Sequence, residues 1–176
     1  MQTLTKTITA YKYQELTEEA KEKALDKFYD INVGYEWWDC NYEDAANAGL
    51  KIKEFDIGRG SYCKAEFTEG ACFTAHKIID DHGKDCEAYK TSTDFLKERN
   101  EIVNMAEKDE NGDFVDEYEL DQKLNDIEEE FLKSISEDYR IMLSKEYDYL
   151  TSKEAIEETI KANEYDFTED GTFPAL

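Results

Sequence analysis

Both histidines of this chain lie near two of its four cysteines. Cys72 precedes His76 by four positions, and His82 precedes Cys86 by the same interval. Residues four apart share one face of a helix, and two thiolates with two imidazoles complete the tetrahedral shell of structural zinc. The chain has no Cys-x₂-Cys pair, however, and Gly83 interrupts the second half of the pattern. The alternative is buried thiols with surface histidines, and we expect this alternative, with no bound zinc.

An acidic segment between two predicted helices contains the ligand types of a calcium-binding loop. If the segment is aligned with an EF-hand loop, allowing a deletion of one residue, the candidate oxygen ligands are Asp109, Asn111, Asp113, Asp116 and Glu119. In this alignment, the glycine that makes the sharp turn at the sixth loop position is missing. A shifted frame that uses Gly112 for that turn places Tyr118 where the bidentate glutamate belongs. The alternative is an acidic turn that joins two helices.

A metal-dependent enzyme is a second hypothesis from the titratable residues. His76, Asp80, Asp81 and His82 would join other carboxylates around Mg²⁺ or Mn²⁺ in a nuclease or nucleotide hydrolase. The chain has no phosphate loop, dinucleotide fingerprint, His-Glu-x-x-His motif or nucleophile elbow. With 44 acidic residues, one such cluster is expected by chance. We therefore assign no catalytic residue, and a solvated helix end is the alternative.

Hydrophobic periodicity predicts the elements that position these groups. Alternating residues predict a strand at 3–13 and a hairpin at 50–67, with a final strand or small hairpin at 165–173. Capping signals and an apolar spacing of three or four predict the helices, which are expected after Thr17 and at about 35–48, 70–81, 92–108, 117–149 and 153–163.

This order of elements favours the α+β class, because strands and helices do not alternate regularly. We expect a small antiparallel sheet, built from the hairpin at about 50–67 and the N- and C-terminal strands, packed with several helices. The longest helix covers about 117–149. Residues 1–176 are expected to form a single domain, from which a strongly acidic helical part at about 101–163 projects.

The net charge of −23 narrows the classes of partner. Residues 1–100 carry 20 acidic and 14 basic side chains, whereas residues 101–176 carry 24 acidic and 7 basic ones. Such a balance argues against direct binding to nucleic acid or to an anionic membrane, since both need clustered Lys and Arg. No apolar run has the length of a membrane span, and the first residues lack the pattern of a signal peptide. We therefore expect a cytoplasmic protein.

Four segments carry a resemblance that spans most of the chain. They are Leu16-Thr17-Glu18-Glu19-Ala20-Lys21, Tyr35-Glu36-Trp37-Trp38-Asp39, Phe55-Asp56-Ile57 followed by Ser61-Tyr62-Cys63, and Asn163 to Gly171. Together they resemble a family of small uncharacterised acidic proteins of bacteriophages and prophages. The resemblance implies a mobile element in a bacterial cytoplasm. It implies no catalytic residue, since no activity is established for the family.

Charge and resemblance together favour a non-enzymatic phage-type effector. Its acidic surface would occupy the nucleic-acid-binding site of a basic host protein, with anti-CRISPR or anti-restriction action as the suspected class. The candidate contacts are Glu128, Glu129, Glu130, Glu137 and Asp138 on the long helix, with Trp38 as an aromatic anchor. An acidic surface that serves only solubility and an antitoxin-like binder of one toxin are the alternatives.

Overall fold

A computed structural model describes residues 9–174 of the chain. Within them, two compact units can be distinguished. The terminal unit combines residues up to Trp37 with those from Lys145 onward, and the central unit runs from Trp38 to Ser144. In this described part, no helix combines the length and the apolar character needed to cross a bilayer.

The terminal unit is built from two short strands and two capped helices. Its elements are β1 (Tyr11–Lys12), α1 (Glu18–Lys27), α6 (Lys153–Ala162) and β4 (Asp166–Phe167). Strands β1 and β4 pair antiparallel. The hydroxyl of Thr17 accepts the Ala20 N–H at the start of α1, and Ser152 accepts the Ala155 N–H at the start of α6. Both caps satisfy a helix N–H that has no partner inside the helix.

The core of the terminal unit lies between α1, α6 and the strand pair. Phe167 is fully buried and packs edge-on against Tyr13 and Phe28. The other buried members of this core are Leu16, Ala20, Ala24, Leu25, Ile156 and Ile160. Aromatic burial therefore holds the two ends of the chain together.

The central unit places a hairpin against four helices. Its elements are α2 (Asp39–Asn47), β2 (Leu50–Asp56), β3 (Tyr62–Phe67), α3 (Ala71–Asp81), α4 (Glu87–Met105) and most of α5 (Glu117–Leu150). In the hairpin, Leu50 pairs with Phe67 and Asp56 with Tyr62, with an irregular register between Ile52 and Glu54.

Stacked aromatic rings form the centre of the central unit. The Phe131 ring of α5 lies 4.3 Å from the ring of Phe95 and 5.7 Å from that of Phe67, measured between centroids. Buried residues of these elements and of α2, β2 and α3 complete this core, among them Ala45, Ile52, Ala75, Ile78, Ala88, Ile127, Ile135 and Tyr139. Every element of the central unit thus contributes to one apolar cluster.

The predicted α+β class, the hairpin and the long helix are confirmed. Of the predicted N-terminal strand, residues 3–8 lie outside the described part, and only Tyr11–Lys12 forms a strand in the remainder. The terminal strands pair with each other, so the antiparallel pairing is divided between two two-stranded sheets. The expectation of one domain with a projecting acidic part stays a prediction.

Two predicted helices have wrong boundaries. Helix α2 begins at Asp39 rather than near residue 35, because the Trp37 N–H bonds to the Tyr35 carbonyl in a preceding turn. Helix α4 covers Glu87–Met105 rather than about 92–108. Beyond its end, the backbone of Lys108 pairs with that of Phe114, which takes the segment out of helical conformation.

The Ser92 side chain leads to a prediction about stability. Ser92 is fully buried in α4, and among residues 9–174 its hydroxyl finds no hydrogen-bond partner. Alanine removes the cost of the unpaired hydroxyl and has a higher helix propensity. We expect Ser92→Ala to stabilise the protein by about 1 kcal/mol in urea unfolding.

Ser136→Ala on α5 is the matched control. Ser136 is also buried, but its hydroxyl donates to the Leu132 carbonyl at 2.6 Å. Its substitution removes a hydrogen bond and is expected to give no comparable stabilisation. Equal effects of the two substitutions would contradict the assignment of Ser92 as an unpaired hydroxyl.

Candidate functional site

A shallow groove on the central unit is lined mainly by acidic side chains. It has a volume of about 650 Å³. Thr91 of α4 lines one side, and the remaining lining residues come from α5: Asp126, Glu129, Glu130, Lys133, Ser134, Glu137 and Asp138. Their spacing of three and four positions places them along one face of that helix. The groove therefore holds five carboxylates and one ammonium group.

Asp138 lies in the groove close to the carboxylates of Glu87 and Glu137. The Thr91 hydroxyl donates to its Oδ2 at 2.7 Å. Burial, together with the negative charges of Glu87 and Glu137, nevertheless raises the pKa of Asp138 above its ordinary value. A positive charge placed beside this carboxylate would favour its ionised form and lower this pKa again.

Glu137 is partly neutralised from within the chain. Both of its carboxylate oxygens accept hydrogen bonds from the Arg140 guanidinium, at 2.7 and 2.8 Å. This contact lowers the pKa of Glu137. Arg140 therefore holds Glu137 ionised and fixes its position at one end of the groove.

The groove brings together most of the acidic residues predicted as partner contacts. Glu129, Glu130, Glu137 and Asp138 line it, whereas Glu128 is half-buried on α5 and is not among the lining residues. Asp126 was missed, although its spacing from Glu129 and Glu130 would have indicated the same helix face.

The predicted anchor Trp38 lies elsewhere in the central unit. It is half-buried just before α2, where its ring packs edge-on against Phe55. Trp37 belongs to the terminal unit and packs against Tyr147. The adjacent tryptophans therefore contribute to different units, and a role of Trp38 in binding stays a prediction.

A second cluster surrounds the imidazole of His82. Its Nε2 lies 3.2 Å from Oδ1 of Asp44, and its Nδ1 lies 3.9 Å from Sγ of Cys86. The hydroxyl of the buried Tyr139 donates to the other oxygen of Asp44 at 2.7 Å. Hydrogen bonding to Asp44 raises the pKa of His82 to about 9, and bonding to His82 lowers the pKa of Asp44.

Only half of the predicted zinc set meets in this cluster. His82 and Cys86 are together, whereas His76 is exposed on α3 and Cys72 packs half-buried against the core. Over residues 9–174, no group of three or more His, Cys, Asp or Glu side chains is arranged to hold a metal ion. The expectation that the chain binds no zinc stays a prediction.

The other candidate metal ligands make local contacts. Oδ1 of Asp109 accepts the N–H groups of Asn111 and Asp113, which lowers the pKa of Asp109. Asp116 accepts the Glu119 N–H at the start of α5. These bonds are typical of an acidic turn and a helix cap, the alternative to a calcium loop.

The acidic pair of the proposed enzyme site lies at the end of α3. Asp81 forms an ion pair with Lys77 at 2.8 Å, and Asp80 is exposed. The acidic partner of His82 is instead Asp44. The site geometry thus links His82 to a helix that sequence spacing did not suggest.

Comparison of the chain with protein-family models, curated proteins and solved structures found no significant match.

Proposed function

We propose that this chain is a non-enzymatic binding protein of the phage-effector type. Its acidic groove on α5 would bind basic side chains of a host protein that handles nucleic acid, in an anti-CRISPR or anti-restriction role. The observation that supports this proposal best is the alignment of five carboxylates along one helix face, with a single lysine among them.

Charge spacing defines what the groove would imitate. From Asp126 to Asp138 the helix rises by about 18 Å. The lining residues and Arg140 together carry a net charge of −3, so the groove presents one negative charge per about 6 Å, against one per about 3.4 Å for a single nucleic-acid strand. The groove is therefore suited to a few basic side chains rather than to a whole nucleic-acid-binding channel.

The environment of Asp138 distinguishes this surface from a merely solvating one. A surface that serves only solubility keeps its carboxylates in water, where neighbouring charges are screened. Asp138 is instead half-buried beside Glu87 and Glu137. An incoming Lys or Arg would gain from this negative potential, and the Thr91 hydroxyl already orients the carboxylate.

The proposal is tested by affinity capture from a bacterial lysate at low and high salt. The groove variant carries E129Q, E130Q, E137Q and D138N. We expect the wild-type protein to retain a nucleic-acid-handling protein at low salt, and the groove variant to lose it. Added DNA should compete for that partner, and binding should weaken at high salt, because the Debye length falls from about 10 Å at 0.1 M to about 3 Å at 1 M.

A matched variant removes the same number of charges from exposed positions outside the groove. It carries E36Q, E43Q, E101Q and E110Q. We expect this control to keep the partner. Equal loss in the two variants would show that net charge, not the groove, is responsible. Retention of one partner at both salts, or by the groove variant, would contradict the proposed function.

A further inference from the structure

The cluster around His82 has the arrangement of an activated nucleophile. A thiol, an imidazole and a carboxylate that orients the imidazole follow one another as Cys86, His82 and Asp44. In the protonated imidazole, Nε2–H donates to Asp44 and Nδ1–H faces Sγ. Tyr139 holds the second oxygen of Asp44, so the carboxylate is fixed from both sides.

The position of Cys86 leaves its sulfur available. Cys86 is the residue that precedes α4, and its side chain makes no capping hydrogen bond. It is half-buried, which admits a small reagent more readily than a peptide. Hydrogen bonding to Asp44 raises the pKa of His82 to about 9, so at pH 7 the imidazole is protonated and places a positive charge and an Nδ1–H beside Sγ.

The other three thiols provide comparisons within the same chain. Cys40 is exposed and lies in the first turn of α2, so it shares the helix N-terminal setting of Cys86 without its histidine. Burial and the charge of Glu137 raise the pKa of Cys63 to about 11, which makes it the least reactive thiol. Cys72 is half-buried and packs against the core as Cys86 does, so exposure alone does not separate these two thiols.

We propose that Cys86 is a reactive thiol that small hydroperoxides oxidise to sulfenic acid, with the His82 imidazolium as proton donor to the leaving oxygen and Asp44 as a positioning residue. The site is separate from the acidic groove and does not depend on the proposed function.

The reaction balances between the cluster, the peroxide and water. The Sγ proton passes to water, and the thiolate beside the His82 imidazolium attacks the outer oxygen of the hydroperoxide. An S–O bond forms while the O–O bond breaks. The departing alkoxide, or hydroxide from hydrogen peroxide, takes the proton from Nδ1 and leaves as an alcohol or as water, and the imidazole regains a proton from water. Sulfur loses two electrons and the peroxide gains them, so the products are sulfenic acid and the alcohol or water.

The test measures sulfenic acid at each cysteine of the folded full-length protein. The protein is treated with hydrogen peroxide in the presence of dimedone, with and without prior chelator, and adducts are quantified by peptide mass spectrometry. We expect Cys86 to be labelled at least about tenfold more than the exposed Cys40. In urea the two cysteines should be labelled about equally, because the His82 contact is lost.

Two variants then test whether Cys86 is labelled because of its contact with His82 or only because its thiol is accessible. His82→Gln should reduce the labelling ratio of Cys86 to Cys40 by about tenfold, and Asp44→Asn by less, because the imidazole remains. Labelling of Cys63 in a variant would show that the variant is unfolded. The ratio of Cys86 to Cys40 labelling in the wild-type protein would then decide the proposal alone. Native labelling of Cys86 no faster than that of Cys40 would overturn the proposal. So would labelling that appears only after chelation, since Cys86 would then be a metal ligand.

Discussion

Replacing Gly171 by alanine is expected to destabilise the terminal unit by about 3 to 5 kcal/mol. Single substitutions have an effect of this size only where a specific mechanism, such as a steric clash, causes it. Gly171 is buried at a φ of +81°, a conformation that costs alanine about 1 kcal/mol. A Cβ at this position would lie 2.0 Å from the carbonyl oxygen of Ala20. Because that oxygen belongs to the backbone of α1, the clash is relieved only by moving the helix or the turn.

The turn around Gly171 has little freedom to move. The Gly171 N–H bonds to the Thr168 carbonyl, and the Thr168 N–H bonds to the Thr172 carbonyl, both at 2.9 Å. The Thr168 hydroxyl also bonds to Asp170 at 2.6 Å. Displacing this turn would disturb β4 and the buried Phe167. The rate of hydrogen exchange of the α1 amides measures the expected loss of stability in the terminal unit.

Gly60→Ala is the control for backbone strain. Gly60 has a φ of +88°, and a Cβ there would meet no atom within 4 Å. Its substitution should cost about 1 kcal/mol, measured in the exchange of the β2 and β3 amides. A cost at Gly171 no greater than that at Gly60 would show that the close approach to Ala20 is absent in solution.

Local patterns account for most of the fold that the sequence predicted. Leu120, Ile127 and Phe131 recur on one apolar stripe, which predicted the long helix at about 117–149. Its predicted boundaries agree with those of α5 to within one residue. Thr17 and Ser152 indicated the starts of α1 and α6 through the hydroxyl that each supplies. The pairing of β1 with β4 depends on contacts between the chain ends, which no local pattern records.

The two sites differ in how far sequence could predict them. The acidic groove lies mostly on one helix, so the choice of acidic residues on the long helix already included Glu129, Glu137 and Asp138. The spacing of His82 and Cys86 predicted proximity for the wrong reason: His82 follows the last residue of α3 and Cys86 precedes α4, with a turn between them. Asp44 could not be assigned to this cluster, because tertiary packing brings it there from α2.

The pair formed by His82 and Asp44 predicts a pH window of maximal stability. The pKa of His82 rises from 6.5 to about 9 on folding, so its contribution is complete below pH 6.5 and is lost as the pH rises through 9. The pKa of Asp44 falls below 3.8 on folding, so its contribution is present above pH 3.8 and is lost as the pH falls through that lower pKa. For this pair, stability is therefore greatest between about pH 4 and 6.5.

Urea unfolding at pH 6 and pH 9.5 tests the upper limit of this window. The His82 side chain is 10% exposed, but that of Asp44 is 37% exposed, so solvent screening reduces the contribution of the pair. We expect a loss of about 1 to 2 kcal/mol between the two pH values. Asp44→Asn should flatten this dependence, because the neutral amide no longer favours the protonated imidazole.

Glu43→Gln separates the pair from the overall charge. Glu43 is an exposed neighbour of Asp44 on α2, and its substitution removes the same single charge. We expect Glu43→Gln to keep the wild-type pH dependence, whereas Asp44→Asn loses most of it. The amide introduced by Asp44→Asn retains an oxygen that accepts the Tyr139 hydroxyl, so the buried tyrosine keeps a partner. A pH dependence that survives in Asp44→Asn would show that other groups, such as the thiols titrating near pH 8.5 in the unfolded chain, produce it.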